Sequence, residues 1–528
     1  MAKSNDKNGA KMKSARDIEK AGVAQQVEYG EESVAVNATT STEDLPLSKP
    51  RCVALVAVLT IASIMSTVAI QDSVTILPTI GRELGIPASR QHWIVLSYNL
   101  TFVPFLIFSG RLADVYGRRR TFLLGSSFFT AASIMAPFVP NESGFDAIRG
   151  LQGLSAAAMA SAALGILSST FPPGKAKDIA FSFFAIGAPF GFIFGNPLGS
   201  LIGEHLPWQW TYWILSITAG ISTTASYSII PRPPPSPTPS KASTIDWIGA
   251  AILTLALILL VLALSNGNEI GWRTPWIPTL LVLSFLLLAS YTYWHHHHST
   301  TPNKTPFITP FILTQKQLTP ILVVSALLTA SYTIFLTTSL HWFTAYQALS
   351  TLQTTFHFLP AGICALLIAA LTSLILSRMP ALYILLFSTA CVSLSCLLLA
   401  IPLPEHMSYW AYGLPGMLLC ATGVVTAGAV LTLFVAKMVG AEDAALGAGL
   451  ITGMGMVGRV VGGVIVVAVE MEIEGRKKGV ALAPGDEALK EGIRGMAWFG
   501  FAVSVVAAMV VGGFTRGMGV VGGKRINE

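Results

Sequence analysis

Fourteen apolar runs, each long enough to cross a bilayer, dominate the sequence between residues 53 and 515. A membrane-spanning helix needs about 20 mostly apolar residues, because the hydrocarbon core of a bilayer is roughly 30 Å thick. The predicted spans are 53–79, 92–112, 120–140, 146–170, 178–202, 210–230, 246–265, 275–294, 320–342, 355–377, 380–401, 409–436, 444–470 and 495–515. Since backbone polar groups in lipid must be satisfied internally, this pattern predicts an all-α integral membrane protein.

The composition agrees with a chain that lies mostly in lipid. Charged residues make up 11% of the 528 residues, and hydrophobic residues make up 52%. Soluble domains carry about 25% charged residues, so this composition excludes an ordinary water-soluble fold. The net charge of +6 reflects basic residues in loops and tails that face anionic lipid. We therefore predict the lipid bilayer as a partner and no nucleic acid.

The predicted spans fall into groups of six, two and six. A segment with six prolines at 231–239 cannot be helical and separates the first two groups. We predict a disordered cytosolic tail at 1–50, a six-helix bundle at 51–230, a linker with two additional helices at 231–319, a second six-helix bundle at 320–515 and a cytosolic tail at 516–528. Because cytosolic loops are enriched in Lys and Arg, the basic loops place both termini in the cytosol.

The loop between the second and third spans carries the sharpest motif. It reads Gly110-Arg-Leu-Ala-Asp114-Val-Tyr-Gly117-Arg118-Arg119-Arg120. Gly110 permits close helix approach, Gly117 permits a tight turn, and Asp114 can accept charge-assisted hydrogen bonds or lie opposite a helix N-terminus. Such a cluster can lock two helix bundles together while the pore is closed to the cytosol. A plain positive-inside loop would explain the arginines but not the spacing of Gly and Asp.

This segment resembles motif A of the major facilitator superfamily, G-x-L-a-D-r-x-G-r-k, and departs from it at Val115. The fourth span begins Arg149-Gly-Leu-Gln152-Gly153, which resembles the family's motif B. The resemblance implies that Arg149 and Gln152 belong to a proton-coupling site. The alternative for Arg149 is an arginine that extends its charged end to the membrane interface. The family resemblance also implies the fold: two six-helix bundles, here with two extra central helices.

Glycine and proline recur in the fifth span in a pattern similar to motif C, the antiporter signature of the family. The residues are Gly187, Pro189, Gly191, Gly195, Pro197 and Gly199. Small residues at a spacing of four create a thin helix face for close packing, and ordinary helix packing is therefore the alternative explanation. The order departs from the family pattern because no Gly-Pro pair occurs in this segment.

Asp72 is the best candidate for a proton-binding group, because acidic side chains in apolar spans are rare and usually functional. With Pro78 and Trp93 it resembles the signature of the 14-span drug:proton antiporter branch. In that signature the Asp stands where this chain has Ala69, which is nearly one helical turn away. A capped residue near the outer mouth is the alternative.

Arg459 lies in the middle of the thirteenth span among glycines, and the same branch often has an arginine in a similar context. A charge at that depth is a candidate for the proton or substrate pathway. Asn141-Glu-Ser143 fits a glycosylation acceptor. No cluster of His, Cys or carboxylates at one depth is evident, so we predict no metal, no cofactor and no enzyme.

Together, these features predict a monomeric, proton-coupled secondary transporter that exports drugs, toxins or secondary metabolites by alternating access. The sequence lacks a G-x-x-x-x-G-K-[ST] loop, so we do not expect ATP to drive transport. The alternatives are an uptake or vacuolar carrier for siderophores or basic amino acids and, more remotely, an integral membrane enzyme or receptor. The proline-rich loop and polar tail are similar to fungal members of the branch. We expect the plasma membrane, with the vacuolar membrane as the alternative.

Overall fold

The long elements in the described part of the chain are all α-helices. The computed structural model describes residues 47–172, 174–232, 245–272, 274–299, 307–308, 317–376, 378–401, 409–439, 443–476 and 487–514. The predicted amino-terminal tail lies outside these residues as far as residue 46. The predicted carboxy-terminal tail lies outside them entirely, as does most of the proline-rich segment.

The described residues up to 232 form the amino-terminal half of the protein. Its helices are α1 (Lys49–Thr75), α2 (Leu77–Glu83), α3 (Ala88–Gln91), α4 (Trp93–Tyr116), α5 (Arg118–Met135), α6 (Glu142–Thr170), α7 (Lys175–Phe184), α8 (Gly187–His205) and α9 (Gln209–Ile229). A short 3₁₀ helix, Ala136–Phe138, continues α5.

Two helices, α10 (Trp247–Ile270) and α11 (Trp276–Ser299), precede the carboxy-terminal half and pack against each other. The carboxy-terminal half contains α12 (Leu318–His341), α13 (Thr351–Ile375), α14 (Ala381–Ala400), α15 (Tyr409–Val439), α16 (Ala444–Arg476) and α17 (Glu487–Phe514). A π-helical turn, Trp342–Tyr346, follows α12.

Two predicted spans, 53–79 and 178–202, are each divided into two helices. Proline explains both divisions, because it has no backbone N–H and its ring clashes with the carbonyl four residues earlier. Pro78 removes the helical partner of the Val74 carbonyl, and the chain breaks between α1 and α2. Pro189 likewise removes the helical partner of the Ala185 carbonyl, and the chain breaks between α7 and α8. Each of these two spans is predicted as one continuous helix, whereas the structure has two helices there.

Thirteen segments of the described chain are long and apolar enough to cross a membrane. The sixth predicted span corresponds to α9, which is 21 residues long but does not belong to this set. The second half of α9 is rich in Ser and Thr, which lowers its hydropathy. It nevertheless packs on α5 within the amino-terminal half. Each of the fourteen predicted positions thus holds helical structure.

The two halves meet along two sets of helices. On one side, α16 packs on α4 and α6, and α10 packs on α4 and α16. On the other side, α13 packs on α7 and α8, and α15 packs on α7. An apolar cluster that includes Phe192 of α8 and Phe335, Phe343 and Phe358 of the carboxy-terminal half crosses this second side. Asp114 and Arg111, described below, lie along the first of these contacts.

Candidate functional site

Asp114, near the end of α4, joins the two halves of the protein. Its carboxylate accepts hydrogen bonds from the backbone N–H groups of Ala445 (3.2 Å) and Leu446 (2.8 Å), at the start of α16. Arg118 donates to the same carboxylate at 2.8 Å and 2.6 Å. The first turn of a helix has unpaired N–H groups and a partial positive charge, both of which favour a carboxylate. Asp114 therefore caps a helix of the opposite half.

Arg111 makes a second polar link between the halves, one that the sequence did not indicate. Its guanidinium lies 2.8 Å from a carboxylate oxygen of Asp443, and the arginine is only 4% exposed. The helices can approach closely here because Gly110 has no side chain: a Cβ atom at this position would meet the backbone of Ala445. We use the name Asp114 contact for the four side chains Arg111, Asp114, Arg118 and Asp443 together with the first turn of α16.

The other predicted members of this motif make local contacts within the amino-terminal half. Gly117 has a φ of 106° between α4 and α5, a conformation that side chains disfavour. Arg119 points away from the Asp114 contact, and it donates to the backbone oxygen of Tyr227 in α9 at 2.7 Å. Its guanidinium also lies 5.3 Å from the centre of the Tyr227 ring. Arg119 thus ties α5 to α9 within the amino-terminal half.

Arg149 lies fully buried at the centre of a polar network inside the amino-terminal half. It donates to the backbone oxygens of Ile94 (3.1 Å) and Ala69 (3.0 Å) and to the side chain of Gln152 (2.8 Å). Its guanidinium also stacks over the Tyr98 ring, 4.9 Å from the ring centre. A side chain held by three acceptors from three helices does not extend to the membrane interface.

Asp72 belongs to the same buried region, on α1, and is 2% exposed. Its carboxylate accepts a hydrogen bond from the backbone N–H of Ser73 at 2.6 Å. The Ser73 hydroxyl in turn lies 3.1 Å from the hydroxyl of Tyr212 in α9. Within the described chain, no ion pair shorter than 4 Å joins Asp72 to Arg149. The two opposite charges therefore share one buried network without direct contact.

The glycines of the fifth span form a continuous row against α1. A Cβ atom at Gly191 would lie 2.7 Å from the backbone oxygen of Ile64, and one at Gly199 would lie 2.8 Å from the backbone of Asp72. Gly187 and Gly195 contact Ser63 and Gln71 in the same way. The row lets the backbones of α1 and α8 approach closely along about three turns. It places α8 directly beside Asp72.

Three further predicted residues do not belong to the glycine row: the two prolines of the antiporter-like pattern and the glycosylation candidate. Pro189 lines the central cavity, and Pro197 belongs to α8. Asn141 is exposed and precedes the first residue of α6. Its modification stays a prediction.

A cavity of about 200 Å³ lies between the two halves. Its wall includes residues of α1, α6, α7 and α8 from one half and of α12, α15 and α16 from the other. Arg459 of α16 is the only charged residue on this wall in the described part of the chain. It donates to the side-chain oxygen of Gln71 at 2.5 Å and lies over the Phe192 ring. Arg459 therefore faces the cavity and contacts the opposite half.

The chain resembles known transporters over most of its length. The model of the Major Facilitator Superfamily matches residues 55–463. The chain is 28% identical over 409 residues to the low affinity ammonium transporter of Saccharomyces cerevisiae, covering 75% of this chain and 77% of that protein. It is 27% identical over 398 residues to the efflux pump terJ of Aspergillus terreus, covering 72% of this chain and 75% of the pump.

Among solved structures, the human organic anion transporter MFSD10 shares the fold. The TM-score is 0.59 at 15% sequence identity, and the match covers 86% of this chain and 99% of that one. The matched family model spans most of the sequence, and the helices, with their cavity between two halves, have the corresponding architecture. The chain belongs to the major facilitator superfamily.

Proposed function

We propose that the protein is a proton-coupled secondary transporter that exports small organic molecules by alternating access. The observation that carries this proposal is the Asp114 contact. It holds the two halves together through hydrogen bonds and an ion pair that can break and re-form. Bundles of this kind rock around a central site, and polar contacts of this type form in only one of the two arrangements.

Proton coupling requires a buried group that can gain and lose a proton, and Asp72 is our candidate. It shares a buried network with Arg149, whose positive charge interacts with the ionised but not the neutral carboxylate. Protonation would therefore change the electrostatic balance among α1, α4 and α6. The row of glycines places α8, which lines the cavity, against the same segment of α1.

Two observations support export. The glycine row is similar to the antiporter signature of the family, and one relative is named an efflux pump. The alternative is an uptake carrier, and one yeast relative is named a low affinity ammonium transporter. A cation would meet the like charge of Arg459 in the cavity, which disfavours an ammonium-type substrate. We therefore keep uptake as the second candidate.

The proposed topology places both termini in the cytosol, so that the Asp114 contact closes the cytosolic side. We further propose that the protein acts as a monomer in the plasma membrane and does not catalyse a chemical reaction. The basic loop around Arg118 and Arg119 supports this orientation through the preference of Lys and Arg for cytosolic loops.

The test compares intracellular accumulation of a panel of drugs and toxins in cells that lack the gene and in cells that overexpress it. We expect lower accumulation of at least one compound on overexpression, and loss of this effect in Asp72→Asn. Asp246→Asn is the matched control, because Asp246 caps α10 outside the buried network. The proposal would be contradicted if overexpression lowered the accumulation of no compound in the panel. It would also be contradicted if the Asp72→Asn protein exported at the normal rate.

A further inference from the structure

We propose that the central cavity takes amphipathic organic anions, whose anionic group binds between Arg459 and Tyr332. This inference rests on the proposed transport function and names its class of substrate. It is carried by three features of the cavity: among the described residues, an arginine without a carboxylate partner and a tyrosine hydroxyl without a hydrogen-bond partner, and a wall that is otherwise mainly apolar.

The first feature is the unbalanced charge of Arg459. Its hydrogen bond to Gln71 goes to a neutral amide oxygen. No carboxylate of the described residues lies within 4 Å of its guanidinium. A guanidinium has five N–H donors, and a buried positive charge is costly unless an anion balances it. A bound anion would supply the missing negative charge.

The second feature is the hydroxyl of Tyr332, on α12. It is buried, and within the described chain it has no hydrogen-bond partner. Buried polar groups without partners are uncommon, and such a group at a cavity indicates a ligand or water that completes the bond. Tyr332 lines the same cavity as Arg459. The ring of Phe192 contacts both: it packs edge-on against Tyr332, and the guanidinium lies 5.4 Å from its centre.

The third feature is the rest of the wall, which is mainly apolar. Phe184, Leu328, Leu431 and Met456 surround the space beside Arg459. Cavities that hold drug-sized ligands measure about 300–1,000 Å³. The cavity of about 200 Å³ is smaller than these, so in the arrangement that the structure shows it suits a small ligand of one or two fused rings. A hydrocarbon ring would occupy the apolar part while its anionic group reaches Arg459. An ammonium group at that position would be repelled.

The experiment compares three probes of nearly equal shape and different fixed charge. They are naphthalene-2-sulfonate, neutral naphthalene-2-sulfonamide and the 2-naphthyl-trimethylammonium cation. Binding to the purified full-length protein is measured by titration calorimetry. We expect the sulfonate to bind about tenfold or more tightly than the sulfonamide, because it alone can form a charge-assisted pair with Arg459. We expect the cation to bind most weakly.

Variants assign the preference to individual residues. Arg459→Gln should weaken sulfonate binding about tenfold or more and leave sulfonamide binding nearly unchanged, because only the anion gains from the charge. Tyr332→Phe should weaken sulfonate binding by several fold, and it keeps the test informative if the arginine variant fails to fold. Arg119→Gln is the matched control, since Arg119 lies at the α5–α9 contact, and it should bind all three probes as the unaltered protein does.

Equal affinities for the three probes, preference for the cation, or no binding of the sulfonate would overturn the proposal. Transport in proteoliposomes with an imposed pH gradient separates this failure from failure of the proposed function. Proton-driven movement of the cation or the sulfonamide alone would overturn the substrate class and leave the transporter intact. Tight, Arg459-dependent binding of the sulfonate without any proton-driven movement would support the substrate class and contradict proton-coupled transport.

Discussion

Replacing Asp114 by Asn should shift the protein toward the arrangement in which the Asp114 contact is open. The carboxylate accepts two hydrogen bonds from Arg118 and two from the backbone of Ala445 and Leu446. The bonds to Arg118 lie within the amino-terminal half and can persist in both arrangements. The two bonds to α16 cross between the halves, so they are the ones that favour the closed arrangement.

The size of this shift depends on the hydrogen bonds that an Asn side chain can accept from the backbone N–H groups of Ala445 and Leu446. Its side chain carries no charge and has one acceptor oxygen, while its other polar group is a donor. Hydrogen bonds to charged groups contribute about 1.5–3 kcal/mol and neutral ones about 0.5–1.5 kcal/mol. Losing one such bond and weakening the other from a charged to a neutral one removes roughly 2.5–4.5 kcal/mol from the closed arrangement. At 1.4 kcal/mol per factor of ten, the ratio of open to closed protein rises about 60-fold to 1,600-fold.

Electron paramagnetic resonance distance measurements would detect this shift. Spin labels at Tyr116→Cys and Met379→Cys, both exposed positions, report the separation of the α4–α5 and α13–α14 loops. Four native cysteines are buried, so Cys364 is the one to replace first. Asp114→Asn should increase the longer-distance population and slow transport at normal expression, whereas Arg119→Gln should change neither. An unchanged distance distribution with normal transport would refute the role of the Asp114 contact.

Three further predictions concern other parts of the structure. Arg149→Lys should lower the midpoint of thermal unfolding, because one ammonium cannot satisfy three acceptors from different helices and each unsatisfied acceptor costs about 1–3 kcal/mol; an unchanged midpoint would contradict this role of Arg149 in holding the three helices together. Gly191→Val should destabilise the protein by at least about 1–3 kcal/mol through contact with α1, measured by the same unfolding assay against Gly463→Val, where an added Cβ meets no atom within 4 Å. A double-mutant cycle of Arg111→Gln and Asp443→Asn should give non-additive transport rates, and additive rates would show that this ion pair does not couple the halves.

The sequence predicts the helical architecture well because hydropathy and loop charge act locally. The apolar runs place helical structure at all fourteen predicted positions, and the Asp114 motif indicates a carboxylate opposite a helix N-terminus. The exact ends of the spans are harder to predict from the sequence. Pro78 and Pro189 divide two runs that are continuous in hydropathy, and α9 has a lower hydropathy than the other spans because it contains many Ser and Thr.

Pairings across the two halves could not be predicted from this single sequence. Arg111 and Asp443 are separated by 332 residues, and Arg459 and Gln71 are separated by 388 residues. No local pattern relates such distant positions, since the pairing depends on how α4 and α16 or α1 and α16 pack. Tyr332 carried no sequence signal, because a tyrosine in an apolar span is common and its missing hydrogen-bond partner appears only in the folded structure.

The central claim is that a proton gradient drives transport. The most direct measurement uses ATP-free inside-out membrane vesicles and a compound that the overexpressed protein excludes from cells. An imposed pH gradient, acidic inside, should drive accumulation of the compound, and a protonophore should abolish it while Asp72→Asn vesicles accumulate little. Accumulation that persists after the gradient has collapsed would contradict proton-coupled export.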